Sequence, residues 1–260
     1  MSILEQIPMI DVEQEQKVIA DAADRLEGEP PQEILRWAVE RYGQGLTLAC
    51  SFGMQSVVAI DMLHQMDLLD EVDVFYTDTG VLFPETHLTR LRVQNRYNFI
   101  ANRNASEVSW DDQVTANGGH LYERGIEGVN ECCRLRKVVP TRQYLSDKTA
   151  WITGMRRGHN KTREQLPVVL WDQVNEAVKI NPMAALTDEI LWGYIKANDV
   201  PYNSLYDNGY PSIGCNTPIC TRQVKEGDDP RAGRWAGLEK TECGIHLDGN
   251  AIKSLDSSHL

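Results

Sequence analysis

Six cysteines carry most of the chemistry this chain can offer: Cys50, Cys132, Cys133, Cys215, Cys220 and Cys243. Two are adjacent, and two are separated by Asn216, Thr217, Pro218 and Ile219. One lies in an apolar run, and one stands alone near the C-terminus. Adjacent cysteines are strained as partners in a disulfide, so Cys132 and Cys133 read better as two ligands. Six in 260 residues is too sparse for a disulfide scaffold. The segment Met1–Gln16 is acidic and lacks a basic-then-apolar signal pattern. A reducing, cytoplasmic setting is therefore expected, where metal binding or redox chemistry outranks structural disulfides. The bland alternative is six buried small hydrophobes; the paired spacing argues against it.

Cations follow the cysteines. Arg134, Arg136 and Lys137 come after the adjacent pair, Arg222, Arg231 and Arg234 after Cys220, while Arg156, Arg157, Lys161 and Arg163 flank Gly158. Guanidinium forks match phosphate and sulfate oxygens bidentately. Any one of these residues reads equally as a solvated surface charge; three clusters beside strand ends or cysteines point to an anion site. Two turns are placed to share it. Ser51-Phe52-Gly53-Met54-Gln55-Ser56 joins an apolar run to a helical pattern, where backbone N–H groups, Ser51 and Ser56 face an anion and Gly53 permits close approach. It is neither a Walker loop nor a dinucleotide fingerprint, and alone it is as compatible with an ordinary turn. Asp78-Thr79-Gly80 follows the next apolar run, and reads otherwise as a helix cap.

These residues need a scaffold, and the sequence describes an α/β one. Helical spacing covers Glu13–Leu26, Pro31–Tyr42, Met54–Met66 and Phe83–Tyr97, with a capped helix at Thr187–Asn198. Short apolar runs at Leu46–Cys50, Val72–Tyr76, Asn98–Ala101 and Ala150–Thr153 alternate with them as strands, which implies a mostly parallel sheet flanked by helices. From Asp199 onward Gly, Pro, Asn and charge dominate. The expected division is an α/β domain over residues 1–220 and a mobile C-terminal tail over 221–260. With 26 basic and 38 acidic residues the net charge is −12, which argues against broad nucleic-acid binding. The composition, 42% hydrophobic and 25% charged, excludes collagen-like, coiled-coil and disordered classes. No run approaches the roughly 18 apolar residues of a membrane span.

Taken in order, the motifs resemble the assimilatory sulfonucleotide reductases, which reduce adenylyl sulfate (APS) or its 3′-phosphorylated form (PAPS) to sulfite. The resemblance runs from about Leu48 to His246. It is carried by Ser51-Phe52-Gly53, the segment Tyr76 to Thr86, Cys132-Cys133-Arg134-Leu135-Arg136-Lys137, Trp151 to Arg157, Tyr210-Pro211-Ser212-Ile213-Gly214-Cys215, and Glu242-Cys243-Gly244-Ile245-His246. It implies an adenine nucleotide α-hydrolase-like α/β fold with Cys243 as nucleophile. In the branch bearing the double cysteine and a second pair downstream, it implies one [4Fe–4S] cluster per subunit on Cys132, Cys133, Cys215 and Cys220, and APS as substrate. Substrate contacts fall to Ser51, Phe52, Gly53, Ser56, Asp78, Thr79, Gly80, Lys137, Arg156, Arg157, Arg163, Arg231 and Arg234. Lys137 would lie between cluster and substrate, and Arg231 and Arg234 would belong to the tail. Thioredoxin or glutaredoxin is the implied reductant, and a homo-oligomer is left open.

Two departures stand out. The family's second pair is separated by two residues, whereas four lie between Cys215 and Cys220; and Val81 stands where the family's turn often carries arginine. Rival readings are a PAPS reductase with metal-free cysteines, an ATP pyrophosphatase of related fold, and an iron–sulfur sensor. Phe52 and Gln55 count against the second, since they replace the glycine and aspartate of its Ser-Gly-Gly-x-Asp-Ser loop.

Overall fold

The computed structural model of the chain describes residues 12–159 and 161–246; residues 1–11, Asn160 and 247–260, the end of the expected tail, lie outside the described residues. A six-stranded sheet in the order β3-β2-β1-β4-β6-β5 forms the centre. Its strands are β1 (Leu46–Ala49), β2 (Asp73–Asp78), β3 (Asn102–Ala105), β4 (Ala150–Ile152), β5 (Val169–Asp172) and β6 (Ala177–Ile180). Every pairing is parallel except β5 with β6. Leu46, Leu48, Val74, Ala150 and Ile152 are all buried, as expected of strands covered on both faces by helices.

The helices are α1 (Val12–Leu26), α2 (Pro31–Tyr42), α3 (Met54–Gln65), α4 (Pro84–Tyr97), α5 (Trp110–Ala116), α6 (Gly125–Cys133), α7 (Val139–Leu145) and α8 (Asp188–Ala197). Each expected helix is present, and Thr187 caps α8 by accepting from the Ile190 N–H. The expected third strand sits four residues later than its apolar signal: Ile100 is exposed while β3 begins at Asn102. This edge strand pairs only with β2, so Asn102 and Arg103 can face solvent and no apolar run is required. Helices α1, α2, α3 and α8 share the large core on one face, whereas Phe75, Leu145 and Trp151 form a smaller one on the other, joined by Ile245.

Two features position the site. Strand order reverses at β1, because β2 lies on one side of it and β4 on the other, and this switch point opens a crevice at the strands' carboxyl ends. Between α6 and α7 the chain winds as a π-helical turn over Arg134–Val138. Pro140 just beyond it has no N–H to give back to the preceding turn, which favours wider winding.

Candidate active site

A cleft of about 250 Å³ occupies the switch point. The β1–α3 turn floors one side: Phe52 is buried at a left-handed φ of 55°, anchors the turn, and lines the cleft with Ser51, Gly53 and Ser56. Gly53 caps α3, and Tyr206 Oη accepts from the Met54 N–H at 3.1 Å. Ser56 is buried and donates to the Gly53 carbonyl at 3.1 Å. Thr79 lines the cleft from the second turn. Asp78 and Gly80 do not: the Asp78 carboxylate accepts from Arg103 at 2.7 Å and from the Gly80 N–H at 2.9 Å. Burial would raise its pKa, but these partners hold it below the ordinary range.

The tail closes the cleft. Residues 221–246 contain no strand and one short helical turn, Gly244–His246, yet Arg231, Arg234, Trp235, Glu242, Cys243 and His246 all line the cavity. Arg234 fastens the tail to the loop before Cys220, donating to the Cys220 carbonyl at 2.8 Å and to Ser212 Oγ at 3.2 Å. Gly214 makes this possible, since a Cβ there would lie 2.7 Å from the Arg234 Cζ. Arg231 donates to the Thr241 carbonyl at 2.9 Å; burial pushes its pKa down to about 10. Both guanidiniums lie over the Trp235 ring, at 5.6 and 4.6 Å from its centre.

The remaining predicted arginines go elsewhere. Arg163 lines the cleft, but forks onto Glu242 at 2.6 and 2.5 Å, with both side chains buried. Arg156 is buried against Asp188 and the Leu186 carbonyl, and Arg157 forks onto Glu27. Neither lines the cleft, because each has found a carboxylate from another helix or loop. Sequence reading missed Gln55, His87, Arg90, Thr141 and Tyr206 among the lining residues. His87 and Arg90 fall on the α4 pattern and gave no separate signal.

Cys243 sits in the cleft beside Cys133, whose thiol donates to it. That hydrogen bond, with Lys137, the Ile245 N–H and Arg234, holds the Cys243 thiol well below its ordinary range against the opposing effect of burial. His246 stacks on Trp151 with ring centres 5.9 Å apart. Burial first, then Lys179, Arg163, Arg231 and Lys137, push its pKa far down, so it is a neutral imidazole. Cys50 lies in the core, where burial raises its thiol to about 12.

Cys132, Cys133, Cys215 and Cys220 line one small cavity together with Thr79, Arg136 and Lys137. Among the described residues no group of three or more His, Cys, Asp or Glu is spaced for a single metal ion. One observation of the lining fits an anionic group in this cavity. Arg136 is 4% exposed and donates through Nη1 to the Val108 carbonyl, whereas its Nε and Nη2 have no hydrogen-bond partner. Buried donors of this kind call for an acceptor. Lys137 lines both this cavity and the cleft. Burial lowers its pKa, but the sulfurs of Cys215, Cys243 and Cys133 outweigh that and keep it charged.

The mostly parallel sheet flanked by helices has the adenine nucleotide α-hydrolase-like fold. A solved FMN adenylyltransferase of Candida glabrata shares the fold at 13% identity, with a TM-score of 0.53 over 93% of this chain and 82% of that one. Residues 45–223 match the phosphoadenosine phosphosulfate reductase domain, and the chain belongs to that family of oxidoreductases acting on sulfur. It is 40% identical over 217 residues to adenosine 5′-phosphosulfate reductase 2 of Bacillus subtilis, covering 83% of this chain and 89% of the relative. It is 38% identical over 247 residues to a phosphoadenosine 5′-phosphosulfate reductase of Gloeobacter violaceus, covering 95% and 100%. The crystal structure of the PAPS reductase of Candida auris superposes with a TM-score of 0.68 at 29% identity, over 77% of this chain and 95% of that one. No helix among the described residues is long and apolar enough to cross a membrane.

Proposed function

We propose that this chain reduces APS to sulfite and AMP with electrons from thioredoxin or glutaredoxin. The observation that carries the reading is Cys243 in a cleft at the switch point that Lys137, Arg231 and Arg234 also line. The Cys243 thiolate attacks the sulfur of APS; an S–S bond forms, the S–O bond to the AMP phosphate breaks, and AMP leaves with the electron pair. A thioredoxin thiolate then attacks the Cys243 sulfur, sulfite departs with its electron pair, and a second thioredoxin thiol resolves the mixed disulfide. Cys243 must turn from a closed cleft to a protein partner, which a segment without regular structure allows. Lys137, Arg231 and Arg234 line the cleft and would meet charge on the sulfate and the departing phosphate.

Cys132, Cys133, Cys215 and Cys220 would hold a [4Fe–4S] cluster, and Arg136 and Lys137 would face it. When bound, such a group supplies a fixed negative field and cross-links the two cysteine pairs. With Cys133 committed as a ligand it has no proton to donate, and Lys137 and Arg234 remain to keep Cys243 ionised. Sulfite release from APS and from PAPS, compared as kcat/KM on anaerobically purified chain, tests the reading. A preference for PAPS, favoured by the extent of the match to the Gloeobacter protein, would move it to the alternative.

A further inference from the structure

Four residues separate Cys215 from Cys220, two more than the resemblance implies, yet both cysteines line one cavity. Thr217 is buried and lines that cavity. Its N–H donates to the Cys215 carbonyl at 2.9 Å, and its own carbonyl accepts from the Cys220 and Thr221 N–H groups at 3.2 and 3.3 Å. Its Oγ1 accepts from the Cys220 N–H at 3.1 Å. The loop is pinned at its rims too: Asn216 donates to the Val81 carbonyl at 2.7 Å, Leu82 bridges to Cys215, and the Gly214 N–H donates to Thr221 Oγ1 at 3.1 Å. The extra length is thus folded into one turn wound on Thr217. With an oxygen lone pair engaged by the Cys220 N–H, the hydroxyl proton is left for an acceptor in the cavity that Thr217 and Cys220 both line.

We propose that Thr217 is the positioning residue that keeps Cys220 in the ligand set despite the lengthened loop. The inference rests on the cluster reading above. A hydroxyl hydrogen bond to a ligand thiolate also spreads its charge, as partners just outside a metal's ligand set do. The test uses the full chain purified anaerobically as wild type, Thr217→Val, Thr217→Ala and Thr217→Ser. Iron and acid-labile sulfide per chain are measured, along with the rate at which visible absorbance bleaches under a chelator. Far-ultraviolet circular dichroism checks the fold, and Thr217→Ala serves if the valine does not fit.

Loss of the hydroxyl is expected to speed bleaching by roughly 10-fold or more, with serine close to wild type. Wild-type iron content and bleaching in both valine and alanine variants would refute the role of Thr217 alone. Iron-free wild-type chain would refute the cluster reading, and this inference with it.

Discussion

Glu242→Gln tests what holds Cys243 in place. The Arg163–Glu242 fork is closed at 2.6 and 2.5 Å, and its side chains are 8% and 9% exposed. Removing one member of a buried pair leaves an uncompensated charge and costs about 3–5 kcal/mol if nothing moves. Here something can move, because residues 221–246 have no strand pairing and beyond Val224, whose N–H donates to the Gly209 carbonyl, side-chain contacts dock the segment. The cost should therefore appear as undocking of the tail, a shift of roughly 150- to 4,000-fold in the docked equilibrium. Maleimide labelling of Cys243, resolved by mass spectrometry, should accelerate by up to that factor. Sulfite formation should fall about 10- to 100-fold in kcat/KM, while AMP affinity changes less than about threefold because the β1–α3 turn is untouched. The double variant Arg163→Met with Glu242→Gln should recover part of the loss, since no lone buried charge remains. If Cys243 labels no faster and kcat/KM holds, the fork does not latch the tail and the reasoning fails.

Cys243→Ser should abolish sulfite formation and leave APS affinity, by calorimetry, within about threefold of wild type, because a nucleophile adds little ground-state binding. For Lys137→Ala we expect a kcat loss of about 10²-fold or more, with the thiol of Cys243 titrating at higher pH in alkylation kinetics; an unchanged alkylation profile would remove Lys137 from that role. Arg156→Met should lower the thermal midpoint with KM for APS nearly unchanged, since its partner is Asp188 and it does not reach the cleft; a KM effect without a stability effect would contradict the structure. The acid limb of the stability curve should involve Asp73. Burial would raise its carboxyl, but Tyr144, Asn102, Lys148 and Thr47 together depress it. A carboxylate with a folded pKa below its unfolded one adds stability that is full above the unfolded value near 3.9 and fades as pH falls through the folded one. Asp73→Asn should cost a few degrees in melting midpoint at pH 7, with the difference shrinking toward pH 3.

What the chain's sequence could reveal was decided by how local each signal is. The β1 turn and its helix are written in consecutive residues: a buried apolar run, then Ser51 and Gly53, then an apolar helix. The β5–β6 hairpin escaped because its turn, Gln173 to Glu176, has no glycine to mark it; Asp172 accepts from the Val174 and Asn175 N–H groups, and Glu176 takes a φ of 51°. Lys179 in β6 breaks the apolar signal, although it is buried with its ammonium 3.7 Å from Asp172. The arginines show the same limit at the site. Type and spacing say that Arg156, Arg157 and Arg163 can bind anions, but not that Asp188, Glu27 and Glu242 reach them first. Arg231, Arg234 and Lys137 reach the cleft because the tail and the π turn fold over it, which no short-range pattern encodes.

The four cavity-lining cysteines come from two stretches of chain 82 residues apart, counting from Cys133 to Cys215. Between them the chain supplies α7, β4, β5, β6 and α8. A ribosome adding about 5–20 residues per second delivers the first pair roughly 4–16 s before the second. Through that interval Cys132 and Cys133 are a vicinal dithiol on an incomplete sheet. The set of four thiols is complete only once the chain has passed β6 and α8. Trp235 of the tail packs against three of them, so the cavity wall is finished later still, and the cavity is a late product of the chain's topology.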